Sequence, residues 1–459
     1  MCIIGYSVKP VLRWLVICVS LALFVCAWYF CAPEVPVEDD YDAILNYLVY
    51  PASERWRHIL DLHNEHRIGT TRLIAEAVTW FNGSFNFRGC ILVGNIIMVA
   101  LAFLWYKKFR DLNHDIAGLV IFILSLSLLH WANQLSALCS VQNILAVLLP
   151  FAALLVLERN TPANLPCSVA FAVLATFTSG SGVFIWPALI LAEMKSRRRK
   201  LALIVLGITA LMVIGLYFSL PNTRPPQVVK DVAQADEILL AKTTVMGYTI
   251  EITPMFIVRH IAYAANYFLA CVGGVVIIPW LNVVVGLLFT GVAAWIVFTF
   301  KKTKNAAMLG FLFYLLACCA SCGVFRAASF MADVPSRYQI VCVSLFATLL
   351  YLLLERQSFS HCIGKATATL LLPLTATLMV AYFVYAFPIL KTRTMAFEQN
   401  MLLWPESARG LQYYPEEKRL HAADILKRCQ EQGIYTPRAT QHCGERPPPA
   451  PIPEIQPIF

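Results

Sequence analysis

The densest set of chemically capable side chains lies in one short stretch: Trp56, Arg57, His58, Asp61, His63, Asn64, Glu65, His66, Arg67 and Arg72. His63 to Arg67 alone holds two imidazoles, an amide, a carboxylate and a guanidinium. Carboxylates and imidazoles can take a proton from a hydroxyl, and guanidiniums can hold an anionic leaving group. The chemistry that suits this set is proton abstraction beside a phosphate. An acidic run, Glu34 and then Glu38-Asp39-Asp40-Tyr41-Asp42, precedes it. Ordinary solvated loop charge explains that run equally well and is the weaker alternative for His63–Arg67. His63 and His66 could share a divalent cation. Their spacing nevertheless matches neither the H-E-x-x-H nor the H-x-x-E-H arrangement of zinc proteases. No metal ligand set is assigned; no cofactor is certain, and a divalent cation stays open.

These residues need elements to hold them. Pro51, followed by Ala52-Ser53-Glu54-Arg55, is a good helix start. Continued through residue 66, that helix sets His58, Asp61 and Glu65 on one face. Asp61 and Glu65, one turn apart, would raise one carboxylate's pKa, while Arg57, Arg67 and Arg72 would oppose the rise.

The surrounding chain is not that of a soluble domain. Its 459 residues are 59% hydrophobic and 14% charged, with a mean hydropathy of +0.66. Soluble domains run about 45–50% apolar and about 25% charged. The expected fold class is therefore all-α: a polytopic transmembrane helix bundle of about 11 spans, with extracytoplasmic loop helices and a short polar C-terminal tail. The apolar runs are 11–31, 89–106, 115–134, 138–157, 163–178, 183–194, 201–219, 280–300, 305–324, 339–355 and 366–388.

The net charge of +9 sits mostly in short clusters between these runs: Lys107-Lys108-Phe109-Arg110, Lys195 to Lys200, and Lys301-Lys302-Thr303-Lys304. That is the positive-inside pattern, so no nucleic-acid partner is expected. Lys9 and Arg13 put residue 1 in the cytoplasm, and strict alternation then places every cluster there. The first loop at 32–88, the loop at 220–255, the loop at 325–338 and the tail come out on the opposite side. Residues 163–194 pass twice in a short length around Ser179-Gly180-Ser181-Gly182 and must be short or re-entrant. Residues 256–278, with Arg259, His260 and Asn266, read as an in-plane or re-entrant amphipathic segment. The expected division is a transmembrane domain over 1–390 and a small tail over 391–459, with 220–278 forming the second outer region.

Other polar sites fall on the outer side. His130 and Gln134 cap the end of the third run, Trp186 follows the Gly-Ser break, and Arg326, Arg337 and Tyr338 border a late span. Helix-end polarity accounts for His130 and Gln134, and interfacial anchoring competes with anion binding at Arg337. In the tail, Pro415 to Gln432 reads as an amphipathic helix with Leu420, Ile425 and Leu426 on one side. A polyproline segment follows at Pro447 to Pro453. Cys429 and Cys443 form a candidate disulfide pair in an oxidising compartment. No Walker-type loop or G-x-G-x-x-G follows a strand, which argues against ATP-driven or nucleotide-sugar chemistry.

His63-Asn64-Glu65-His66-Arg67-Ile68 with Arg72-Leu73, then Gly180-Ser181-Gly182-Val183-Phe184-Ile185-Trp186-Pro187, then Ser336-Arg337-Tyr338 resemble, in order and sidedness, the GT-C class of polytopic glycosyltransferases. Enzymes that decorate type IV pilins or modify O-antigen are among them. The resemblance covers roughly residues 11–390. It implies a multi-pass bacterial inner-membrane enzyme with its active site and C-terminus in the periplasm. The donor would be a polyprenyl-phosphate sugar drawn from membrane lipid, and the acceptor a periplasmic protein or polysaccharide. In this class an acidic residue of the first outer loop commonly serves as base, which leaves Glu65, Asp40, Asp42 and Asp61 as candidates. His58, His63, Asn64, His66, Arg67, Arg72, His130, Gln134 and Trp186 would bind or orient substrate. Arg337, with Arg326 or Arg72 and beside Tyr338, would hold the departing phosphate. A transporter or flippase, or a polymerase or ligase of lipid-linked saccharides, is the alternative.

Overall fold

The computed structural model describes residues 10–64, 66–159, 163–194, 199–220, 227–229, 241–245, 248–252, 254–275, 279–299, 305–326, 334–356, 367–401, 404, 411 and 419–437. Glu65, Cys443, the basic residues 195–198 and 301–304, and the polyproline segment lie outside these.

The chain is predominantly helical, and its apolar runs set where the helices form. Helix α1 is Pro10–Cys31, α2 Gly69–Asn82, α3 Phe87–Asp111, α4 Asp115–Leu126 and α5 Ala137–Glu158. Then come α6 Asn164–Thr176, α7 Ile185–Glu193, α8 Arg199–Ser219, α9 Pro254–Gly273 and α10 Pro279–Phe298. The last four are α11 Ala306–Arg326, α12 Gln339–Leu354, α13 Leu372–Met401 and α14 Arg419–Glu431. Among the described residues, eight helices are long and apolar enough to cross a bilayer: α1, α3, α5, α8, α10, α11, α12 and α13. The runs at 115–134, 163–178 and 183–194 give only shorter apolar helices. The chain is thus a multi-pass membrane protein by the length and composition of its helices.

Two expectations need correction. The helix expected from Pro51 through residue 66 stops early. Only Arg55–His58 is helical, and Leu62–His63 (β1) pairs antiparallel with His66–Arg67 (β2). The segment is too polar to bury a helical stripe, and Asn64 takes φ 51°, which suits a two-residue hairpin turn. His58, Asp61 and Glu65 therefore share no helical face. The helical fold class expected from the sequence holds, with only a small sheet of β3 (Gln227–Val229), β4 (Ala241–Val245) and β5 (Tyr248–Ile252), in the order β3-β5-β4, beside the hairpin. In the tail, α14 buries Ala422, Ile425, Leu426 and Cys429, whereas Leu420 is exposed. Most of the segment read as in-plane or re-entrant, up to Gly273, lies in the long helix α9. It packs along α10 and α11, closely enough that a Cβ at Gly323 of α11 would meet the Ala264 carbonyl at 2.7 Å.

The chain divides into two compact units. The first takes in the described residues to Ile59, Ile68–Leu148 and those from Leu353 onward. In it α4 packs against α1, α3 and α13. Helix α3 also approaches the start of α5 so closely that a Cβ at Gly94 would lie 2.5 Å from the Ser140 backbone. The second unit takes in Leu60–Arg67 and Leu149–Leu352. Its core joins α9, α10 and α11, and α11 also packs on α7 and on the 3-10 turn Gly180–Phe184. Although it lies in the first loop, the His63–Arg67 hairpin counts with this second unit.

Candidate functional site

In the second unit the β1–β2 hairpin pairs His63 directly with His66 and Leu62 with Arg67. Directly opposed residues point to the same face of a ribbon, so the two imidazoles stand together and Arg67 projects from the other face. Glu65 follows Asn64 in the sequence and lies outside the described residues. The His63 ring lies 3.3 Å from the Asn64 side-chain nitrogen and is buried.

His66 makes the contact that joins two distant motifs. Its Nδ1 accepts from the Gly180 backbone N–H at 3.1 Å. A neutral imidazole that accepts at Nδ1 carries its proton on Nε2, which leaves that edge as a donor. Gly180 opens the 3-10 turn between α6 and α7, where the helical bonding pattern is broken. A Cβ at Gly182 would collide with the Ala175 carbonyl, so the turn depends on that glycine. Ser179 and Ser181 share a hydrogen bond at 3.2 Å, and Ser181 also bonds Tyr314, which in turn bonds Cys318 on α11. Trp186 is fully buried and donates its indole N–H to Thr176 Oγ1 at 3.0 Å, tying the two sides of the break.

Arg67 is committed elsewhere. Its guanidinium donates to the carbonyls of Tyr217 at 2.7 Å, Leu220 at 2.6 Å and Leu60 at 2.8 Å, and it stacks over the Tyr217 ring. A cation on the last carbonyls of α8 meets the negative end of that helix. Burial holds the guanidinium below its ordinary pKa, with Tyr217 and Asp61 opposing that shift. Arg337 lies over the Tyr338 ring in the turn Ser336–Tyr338, and both stand near Tyr267 of α9. Arg326 closes α11.

The remaining candidates belong to the first unit. Asp40 is 1% exposed; its Oδ1 accepts from the Leu138 N–H at 2.9 Å and its Oδ2 from the Val37 N–H at 3.1 Å. It thereby caps the first turn of α5, although it lies almost a hundred residues upstream. Burial outweighs both bonds and pushes its carboxyl up to about 7. Asp42, on the π-helical turn Tyr41–Leu45, lies 3.0 Å from Nε2 of His421 on α14. Nothing in the sequence spacing signals this pair. The tail is fastened around it: Cys429 meets the Leu45 carbonyl, Arg428 meets Asn46, Tyr435 donates to the Glu34 carbonyl, and the Phe85 N–H bonds Ile434. Cys429 is a buried free thiol, and its proposed partner Cys443 lies outside the described residues.

His58 stacks on Tyr50 at 3.8 Å. Buried Arg72 donates to the His58 and Ile59 carbonyls, each at 3.0 Å, and lies over Tyr47. His130 and Gln134 turn inward to the end of α4: His130 reaches the Leu124 carbonyl at 3.1 Å, and Gln134 donates to that of Ser127 at 2.7 Å. Among the described residues no group of three or more His, Cys, Asp or Glu is placed to hold a metal ion. No model of a known protein family and no curated protein matches the chain.

Two predictions follow from these side chains. Arg67→Ala leaves three carbonyls without their donor, at about 1–3 kcal/mol for each buried group left unsatisfied. It should sharply reduce the monodisperse fraction and melting temperature in detergent. Normal stability with lost activity would instead make Arg67 a substrate ligand. Asp40, with a folded pKa of about 7 against about 3.9 for a free Asp, stays protonated longer in the folded chain. Its contribution to stability is complete below the unfolded value and is lost as pH rises through 7. Melting curves from pH 4 to 8 should show this fall in the parent and a shallower one in Asp40→Asn.

Proposed function

We propose that the protein is an integral membrane glycosyltransferase of the GT-C type. It moves a sugar from a polyprenyl-phosphate donor to a periplasmic protein or polysaccharide at the outer face of the bacterial inner membrane. The observation that carries the reading is the bond from Gly180 N–H to His66 Nδ1. The first-loop motif and the mid-chain Gly-Ser motif, which the resemblance names separately, meet there.

In this reading Glu65, which lies in sequence between Asn64 and His66, is the base. It takes the proton of the acceptor hydroxyl as that oxygen attacks the anomeric carbon. The bond from that carbon to the lipid phosphate oxygen breaks, and both electrons leave with the phosphate. Arg337, with Arg326, stabilises the released charge. His63 and His66 orient the reacting groups, the second through its Nε2–H. Arg67 and Arg72 hold the loop's backbone, so they shape the site and leave the phosphate to the late arginines. Asp40 is the helix cap, and Asp42 binds the tail.

Intact-mass spectra of surface glycoconjugates from parent, deletion, Glu65→Gln and His66→Ala strains test this. Deletion and Glu65→Gln should both lose a sugar-sized mass, with insertion unchanged. His66→Ala should lose most transfer, and His66→Gln, which keeps an acceptor for the Gly180 N–H, should restore part of it. Unaltered glycoconjugates in the deletion strain, with lipid-linked precursor held on one leaflet, would replace transfer by transport.

A further inference from the structure

Helix α2 turns opposite faces to different surroundings. Thr71, Arg72, Ala75 and Val78 are buried, while Leu73, Ala77, Trp80 and Phe81 are exposed. Trp80 and Phe81 are 78% and 77% exposed and meet each other edge to face at 4.7 Å. At about 100° per residue these four positions fall within one apolar stripe, and no exposed charge interrupts it between Leu73 and Phe81. Exposed tryptophan and phenylalanine on a short helix are costly in water, at about 25 cal/mol per Å² of apolar surface.

The surroundings of α2 say what covers this stripe. Only residues 83–86 separate α2 from α3, a helix long and apolar enough to cross a bilayer. Even fully extended, that connection reaches less than about 20 Å. The start of α3 is marked by Arg88, which stacks over Trp28 and Tyr29 near the end of α1. At the same level Phe30 packs on Phe387 of α13, and Lys391 lies over the Phe30 ring. Tyr29 and Phe30 are themselves exposed. Aromatic rings with cations where α1 ends, α3 begins and the apolar stretch of α13 gives way to Lys391 and Arg393 are the composition of a membrane–water boundary.

We infer that α2 lies along the lipid headgroup region, with Leu73, Ala77, Trp80 and Phe81 inserted among the acyl-chain ends. The helix anchors the first loop to the bilayer surface and holds it level with the mouths of α1 and α3. The inference rests on the helix faces and the aromatic boundary, and it stands whether or not the protein transfers sugars.

Photocrosslinking tests it. p-Benzoylphenylalanine replaces Trp80 or Phe81 in the full-length protein, reconstituted in vesicles of phosphatidylethanolamine and phosphatidylglycerol. Illumination should add the mass of one phospholipid at both positions. Adducts only to protein, whether a second copy or the chain itself, would overturn the inference. So would the absence of a lipid adduct on chains that remain monodisperse. Leu73, on the same face at the other end of the helix, takes the label if substitution at 80 or 81 prevents folding.

Discussion

Backbone amides and carbonyls left open where apolar helices end or break must find partners inside the protein, because lipid offers none. Much of this structure follows from meeting that demand with side chains. Where α6 gives way to α7, the Gly180 N–H is taken by His66. Where α8 ends, the Tyr217 and Leu220 carbonyls are taken by Arg67. Where α4 stops short, His130 and Gln134 fold back onto Leu124, Leu126 and Ser127. Where α5 begins, a buried carboxylate from the first loop accepts its first-turn N–H. In three of the four cases the first loop or its hairpin supplies the partner, and in the fourth the residues just after the broken helix do.

This demand also explains what could be read from the sequence. The apolar runs marked the helices well, because a run of that length has no other stable use. The break at Ser179–Gly182 was legible for the same reason: two glycines among apolar residues stop a helix. The Pro51–His66 region was misread because a polar stretch without an apolar stripe carries no period to follow. The turn-forming asparagine at 64 decided it instead. Long-range partners were invisible. His421 and Asp42 are 379 residues apart, and neither local pattern nor composition hints that α14 binds the first loop.

The proposed chemistry takes its geometry from these structural bonds. A ring fixed by a backbone N–H on one nitrogen presents a defined donor on the other, without the entropy cost of ordering a free side chain. Two of the residues that looked most like phosphate ligands, Arg67 and Arg72, are occupied by carbonyls that they satisfy. That moves the proposed anion-binding role to the late span, at Arg337 beside Tyr338. Polar density in a loop between apolar helices is therefore a mixed signal, and hydrogen-bond partners show which side chains serve the scaffold.

The central claim is that this hairpin serves a transfer from a lipid-linked sugar. Its most direct test adds the purified protein, in nanodiscs, to membranes from a strain lacking it, and follows the lipids by mass spectrometry. The account predicts loss of a sugar-bearing polyprenyl phosphate, matched by the appearance of free polyprenyl phosphate and of sugar on an acceptor. A donor pool that keeps its mass on addition of the folded protein would contradict it.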